Sequence, residues 1–143
     1  VPPIEFGTEA QFGESIDLLG YDLDLSNSKR GGSIGLTLYW QALETPSRAY
    51  TVFNHLRQGE GGEIIAQFDS PPVSEAWATA NWLPGEVVID RREIAVSPDS
   101  PTGTFPLYIG LYSASDLSRP EVFRNGTLQP DNQLFLTEIT IRE

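Results

Sequence analysis

Ile34-Gly35-Leu36-Thr37-Leu38-Tyr39-Trp40-Gln41 sets large apolar residues at every second position. A period of two is that of an extended strand, whose successive side chains leave opposite faces of a sheet. Ile34, Leu36, Leu38 and Trp40 therefore share a core face, and Tyr39 is expected to point outward. The same β-branched and aromatic vocabulary returns in Tyr50-Thr51-Val52-Phe53-Asn54-His55-Leu56 and in Phe105-Pro106-Leu107-Tyr108-Ile109-Gly110-Leu111-Tyr112. Between such runs lie turn-forming clusters, among them Ser26-Asn27-Ser28-Lys29-Arg30-Gly31-Gly32 and Ser97-Pro98-Asp99-Ser100-Pro101-Thr102-Gly103. No stretch reads as a long helix. The fold class expected is all-β: a two-sheet antiparallel β-sandwich, immunoglobulin-like or jelly-roll-like, with about eight strands.

Working outward from that strand, Ile16, Leu18, Leu19, Tyr21, Leu23 and Leu25 belong to another whose apolar parity changes at Leu19-Gly20, which predicts a β-bulge there. Tyr50–Arg57 and Glu63–Phe68, separated by the glycine-rich 58–62, read as a hairpin. Val87–Val96 is a further strand, and Glu121–Arg124 a short edge strand. The last, Leu134–Ile141, shifts parity between Leu136 and Ile139. Residues 69–86 make one long irregular loop, of the kind that is either functional or pinned by aromatic anchors. Residues 1–10 read as a leading linker or an irregular first strand, and 11–143 as a single domain. The Val1-Pro2-Pro3 start and the lack of methionine point to a piece of a longer protein.

A chain of 143 residues, 39% hydrophobic, supplies a core without disulfides or metal. It has no cysteine, which excludes thiolate zinc sites and a cysteine nucleophile, and one histidine, which excludes a histidine-rich metal centre. The formal charge of -11 opposes binding to nucleic acid or to an anionic membrane surface. No run approaches the roughly 20 apolar residues of a membrane span.

The candidate chemistry is sparse. His55, with Asp69 and Asp90 on other strands, fits a structural polar cluster better than a general base, because no strained Gly-x-Ser-x-Gly turn accompanies it. Asp22, Asp24, Asp69 and Asp90 do not form an Asp-x-Asp-x-Asp-Gly calcium loop, so neither a metal nor a cofactor is expected. Trp40 and Trp82 are read as core anchors, with Trp82 plugging one end of the sandwich. Tyr39, Trp77, Tyr108 and Tyr112 are the candidate sugar contacts, since flat rings stack on sugar faces. Asn125-Gly126-Thr127 matches a glycosylation acceptor, a pattern short enough to arise by chance.

Several segments carry a resemblance when taken together. They are Leu19-Gly20-Tyr21, Leu36 to Gln41, Tyr50 to Leu56, Ala66-Gln67-Phe68-Asp69-Ser70-Pro71-Pro72, Trp82-Leu83-Pro84-Gly85-Glu86-Val87-Val88-Ile89-Asp90 and Gly103 to Tyr112. Their order and spacing, over roughly residues 12–142, resemble a β-sandwich domain at the C-terminus of bacterial multi-spanning membrane proteins akin to protein-mannosyltransferase-type, lipid-linked-sugar glycosyltransferases. The resemblance implies a non-catalytic accessory domain on the extracytoplasmic face of the membrane. Its partner would be the remainder of its own membrane-embedded chain, with glycan recognition as the alternative role. The catalytic acids would lie in the membrane portion, so no catalytic residue is carried over. Asn54 departs from the apolar residue usual at its position.

Overall fold

The computed structural model describes residues 3–72 and 78–143. Among these the protein is a two-sheet antiparallel β-sandwich with no α-helix. Its strands are β1 (Phe6–Phe12), β2 (Ile16–Asp24), β3 (Ser33–Ala42), β4 (Tyr50–Arg57), β5 (Ile64–Ser70), β6 (Val87–Ala95), β7 (Gly103–Ser113), β8 (Val122–Arg124), β9 (Thr127–Leu128) and β10 (Leu134–Ile141). One sheet has the order β6-β3-β2-β1-β8-β9 and the other β10-β7-β4-β5.

Alternation explains the packing between them. Ile34, Leu36, Leu38 and Trp40 of β3 face Val52 and Leu56 of β4 and Phe105, Leu107, Ile109 and Leu111 of β7 in one buried cluster. Trp40 is fully buried, with the Phe12 ring edge-on at 5.3 Å. Trp82, equally buried, belongs to the same cluster. Each such side chain contributes about 1.5–3 kcal/mol by leaving water. Both tryptophans lie in the core.

The β2–β3 register shifts between Leu18 and Gly20, where the parity change places it. Sterics explain the glycine: a Cβ on Gly20 would stand 2.3 Å from the Phe6 carbonyl oxygen of β1. The shift in β10 falls between Phe135 and Thr137, slightly before the expected point, and it brings Leu134, Leu136, Ile139 and Ile141 all inward. The β4–β5 hairpin forms as read, with β5 extending to Ser70.

Ten strands replace the expected eight because the sequence hides two short or polar ones. The leading segment is an irregular first strand from Phe6 onward, so the sandwich starts there and not at residue 11. Thr8, Glu9 and Gln11 mask it, although Ala10 and Phe12 point into the core. β9, two residues long, closes a small hairpin with β8. Within the described part of the long loop, Thr79–Asn81 forms a single 3-10 turn. The fully buried Thr79 hydroxyl accepts from the Tyr50 N–H at 2.9 Å and donates to the Arg48 carbonyl at 2.6 Å. Thr79 and Trp82 thus tie the loop to the start of β4 and to the core.

Candidate functional site

β4 separates two polar regions by its pleat. Val52, Asn54 and Leu56 point between the sheets, while Phe53, His55 and Arg57 point to the outer face of the four-stranded sheet. The three residues expected to form one polar cluster are divided by this alternation. His55 and Asp69 meet on the outer face, whereas Asp90 lies between the sheets.

The inner region is built on Arg92, which follows Asp90 by two residues and so shares its face of β6. Both side chains are almost wholly buried, and Arg92 Nη1 donates to Asp90 Oδ2 at 2.7 Å. Arg92 Nε donates to Asn54 Oδ1 at 2.6 Å, and Nη2 donates to the Val52 carbonyl at 3.0 Å and to both oxygens of Ser70 at 3.0 and 3.1 Å. Trp40 Nε1 donates to Asp90 Oδ2 at 3.4 Å. Burial pushes the Arg92 guanidinium below its usual pKa, and the charge of Asp90 opposes that shift. A buried guanidinium is tolerated here because its donors meet oxygens from three strands. Asn54, the position that departs from the apolar pattern, supplies one of those oxygens.

The outer region is aromatic. His55 Nε2 lies 3.1 Å from Asp69 Oδ1, and its ring packs on Phe53 with centroids 4.6 Å apart. Phe53 is fully buried although it points away from the core, because the Arg119 guanidinium lies 4.3 Å above its ring. Arg119 also donates to the Asp131 carbonyl at 3.1 Å, which draws the 129–133 loop toward the sheet. Asp131 and Asn132 in that loop have left-handed backbones, with φ of 60° and 49°. Across the sheet Gly110 faces Phe53, and a Cβ there would stand 2.3 Å from the ring.

Where this covered layer gives way toward the 58–62 and 129–133 loops, two adjoining hollows open. One, of about 380 Å³, is lined by Glu60, Tyr108, Asp131, Gln133, Phe135 and Glu138, among others. The second, of about 350 Å³, is lined by Arg57, Arg119, Asp131 and Gln133 among its walls. Tyr108 and Phe135 meet at 5.9 Å and 61°, forming a corner. Three buried polar atoms on this side of the molecule have no hydrogen-bond partner among the described residues: His55 Nδ1, Arg57 Nε and Gln133 Oε1. A groove of about 630 Å³ lies on the other sheet, bordered by Thr8, Glu9, Gln11, Asp17 and Phe123. It is larger, but among the described residues no buried unpartnered polar atom lines it.

The four candidate sugar-contact positions do not form one row. Tyr39 lies on the six-stranded sheet, and its outward side chain is only 4% exposed, with its hydroxyl donating to Asp22 Oδ2. That hydrogen bond holds the Asp22 carboxyl below its usual range and raises the Tyr39 phenol. Tyr108 and Tyr112 share the outer face of the other sheet; Tyr108 is 8% exposed and Tyr112 half-buried. Burial raises both phenols, with the charges of Glu60 at Tyr108 and Asp69 at Tyr112 adding to it. Trp77 lies outside the described residues. The four aspartates weighed for calcium are dispersed: Asp22 and Asp24 on the outer six-stranded face, Asp69 on the outer four-stranded face, and Asp90 between the sheets.

Sequence reading missed Arg92, Thr79, Gln133, Phe135 and Arg119. For Arg92 a signal existed: Val88, Asp90, Arg92 and Ile94 have one parity, so the buried face of β6 had to hold a charge pair. Compared with known proteins, the chain matches no protein-family model and no curated protein.

Proposed function

We propose that this β-sandwich is a non-catalytic extracytoplasmic accessory domain of a membrane-anchored glycosyltransferase-like protein, with the rest of its own chain as principal partner. One observation carries the reading: the side chains best suited to chemistry are engaged in holding strands. His55, 7% exposed, is held between the Phe53 ring and Asp69, joining β4 to β5. The resemblance described above supplies the membrane-bound parent. The net charge of -11 suits a domain that stands off an anionic lipid surface.

The test compares the parent protein with and without residues 6–143, and with His55→Gln. Deletion is expected to reduce sugar transfer or assembly of the membrane portion, while His55→Gln leaves transfer unchanged. Unaltered transfer and assembly after deletion would end the accessory role. Transfer lost in a His55→Gln variant that melts normally would make the domain part of the catalyst.

A second reading, glycan recognition, is favoured by the aromatic corner of Tyr108 and Phe135 at the rim of a hollow. In this reading the domain contacts sugar or acceptor without taking part in bond making.

A further inference from the structure

We propose that the two adjoining hollows on the outer face of the four-stranded sheet form a binding site for an uncharged pyranose sugar, with Phe135 and Tyr108 as the stacking corner and Gln133 as the buried hydrogen-bonding anchor. The inference builds on the glycan-recognition reading and is independent of the accessory role.

Gln133 is the central observation. The residue is only 7% exposed, yet it lines both hollows and its Oε1 has no hydrogen-bond partner among the described residues. An amide oxygen held this way normally costs the fold the full desolvation of the group. The oxygen is covered in this arrangement, so a ligand hydroxyl would reach it once the side-chain amide turns toward the hollow, and that hydrogen bond would recover the loss. Arg57, which lines the second hollow, has its Nε in the same covered, unpartnered condition among the described residues.

The walls select the ligand class. Phe135, 41% exposed, offers a ring face to the apolar C–H side of a sugar, and Tyr108 closes the corner at 61°. Glu60, Asp131 and Glu138 accept from hydroxyls, while Arg57 and Arg119 offset much of their charge in the neighbouring hollow. Such mixed signs favour a neutral hydrogen-bonding ligand over an ion, and the net charge of -11 weighs against anionic sugars. A volume of about 380 Å³ is at the small end of ligand sites, which suits one or two rings and not a long chain. The left-handed backbone of Asp131 and Asn132 fixes the loop that overhangs both hollows.

The experiment titrates isotope-labelled protein with the methyl glycosides of mannose, glucose and galactose, with glucuronate as the anionic control, following amide and aromatic NMR signals. Perturbation of the Gln133 side-chain amide and the Phe135 ring by at least one neutral glycoside is expected, with glucuronate inert. Phe135→Ala, at a partly exposed site, should keep the fold and weaken binding about tenfold or more. Gln133→Leu, of similar size, should weaken it as well, and its melting curve reports whether the fold is kept. No shift with any neutral glycoside overturns the site and the glycan-recognition reading together. Shifts that map to the β1–β2–β8 groove, or binding indifferent to both variants, overturn the site alone. Preferential binding of glucuronate overturns the neutral class.

Discussion

The two polar regions that meet back to back across β4 solve the same physical problem in opposite ways. Between the sheets, Arg92 places its donors on Asp90, Asn54, Val52 and Ser70, so the charge is matched where water is excluded. The one buried polar side-chain atom left there without a partner among the described residues is Asn54 Nδ2. On the outer face, His55 Nδ1, Arg57 Nε and Gln133 Oε1 are buried without such partners among the described residues, and Arg57 and Gln133 line open hollows. One side of the strand spends its polarity on the fold. The other keeps some of it in reserve. A single-residue step along β4, from Asn54 to His55, crosses from the charge-matched inner face to the outer one.

The comparison breaks most visibly at Arg92. Arg92→Leu leaves Asp90 buried without its guanidinium partner and removes the donor to Asn54, so it should cost about 3–5 kcal/mol in urea unfolding. Replacing the pair together, Asp90→Leu with Arg92→Met, should recover part of that loss, since the buried charges go together while Asn54 Oδ1 and Trp40 Nε1 give up their bonds to the pair. If the double variant is as unstable as the single one, the network is doing more than balancing two charges, and packing around Trp40 becomes the stronger account. His55→Gln or Asp69→Asn, at the better-solvated outer pair, should cost far less than Arg92→Leu.

A middle-sized effect tests whether the outer layer is as closely packed as the core. Gly110→Ala introduces a Cβ at 2.3 Å from the Phe53 ring, which Arg119 covers from above. Overpacking of this kind should destabilise by about 1–3 kcal/mol. The NMR signals of Phe53 and Tyr112, stacked at 6.3 Å, should move with it. A neutral Gly110→Ala would mean that the ring layer yields easily, and that the outer face is a loose cover and not a second packed layer.

How much of this was legible in the sequence follows from which forces are local. Strict alternation in β3 and β7, and the parity breaks at Gly20 and in β10, are local patterns, and they led to the sandwich, its core and its bulges. β1 was obscured because its outward Thr8, Glu9 and Gln11 are polar and only Ala10 and Phe12 reveal the buried side. For the candidate site, single residues were readable but their grouping was not. His55 and Asp69 do meet, across the β4–β5 hairpin, a near neighbour in sequence. Asp90 was grouped with them although β6 belongs to the other sheet. Tyr39 is outward, as the alternation of β3 predicts, but Asp22 and the surrounding strands cover it. The hollow lined by Tyr108, Phe135 and Gln133 draws on β7, β10 and two loops far apart in the chain. Only the register of the finished sheets brings them together.

The smallest effect separates the two sheets by their tyrosines. Tyr39, Tyr108 and Tyr112 all have phenols raised in the folded protein, but for different reasons: a hydrogen bond to Asp22 at Tyr39, and burial at the other two. A raised folded pKa means that the contribution to stability is complete below the unfolded tyrosine value of about 10 and is lost as pH rises through the folded values. The Asp22 carboxyl works in the opposite window: its folded pKa is lowered, so its contribution is present above about 4 and is lost as pH falls. Urea unfolding across the alkaline range should therefore show stability declining above about pH 10. Asp22→Asn should make both the acid and the alkaline limbs shallower, because the Tyr39 phenol loses the charge that raises it. The alkaline slope that persists in Asp22→Asn is shared by Tyr108, Tyr112 and the burial that still acts on Tyr39, and a further Tyr108→Phe should reduce it. An alkaline limb identical in wild type and Asp22→Asn would remove the Tyr39–Asp22 pair from the account, leaving the buried phenols of Tyr108 and Tyr112 as the groups that respond to base.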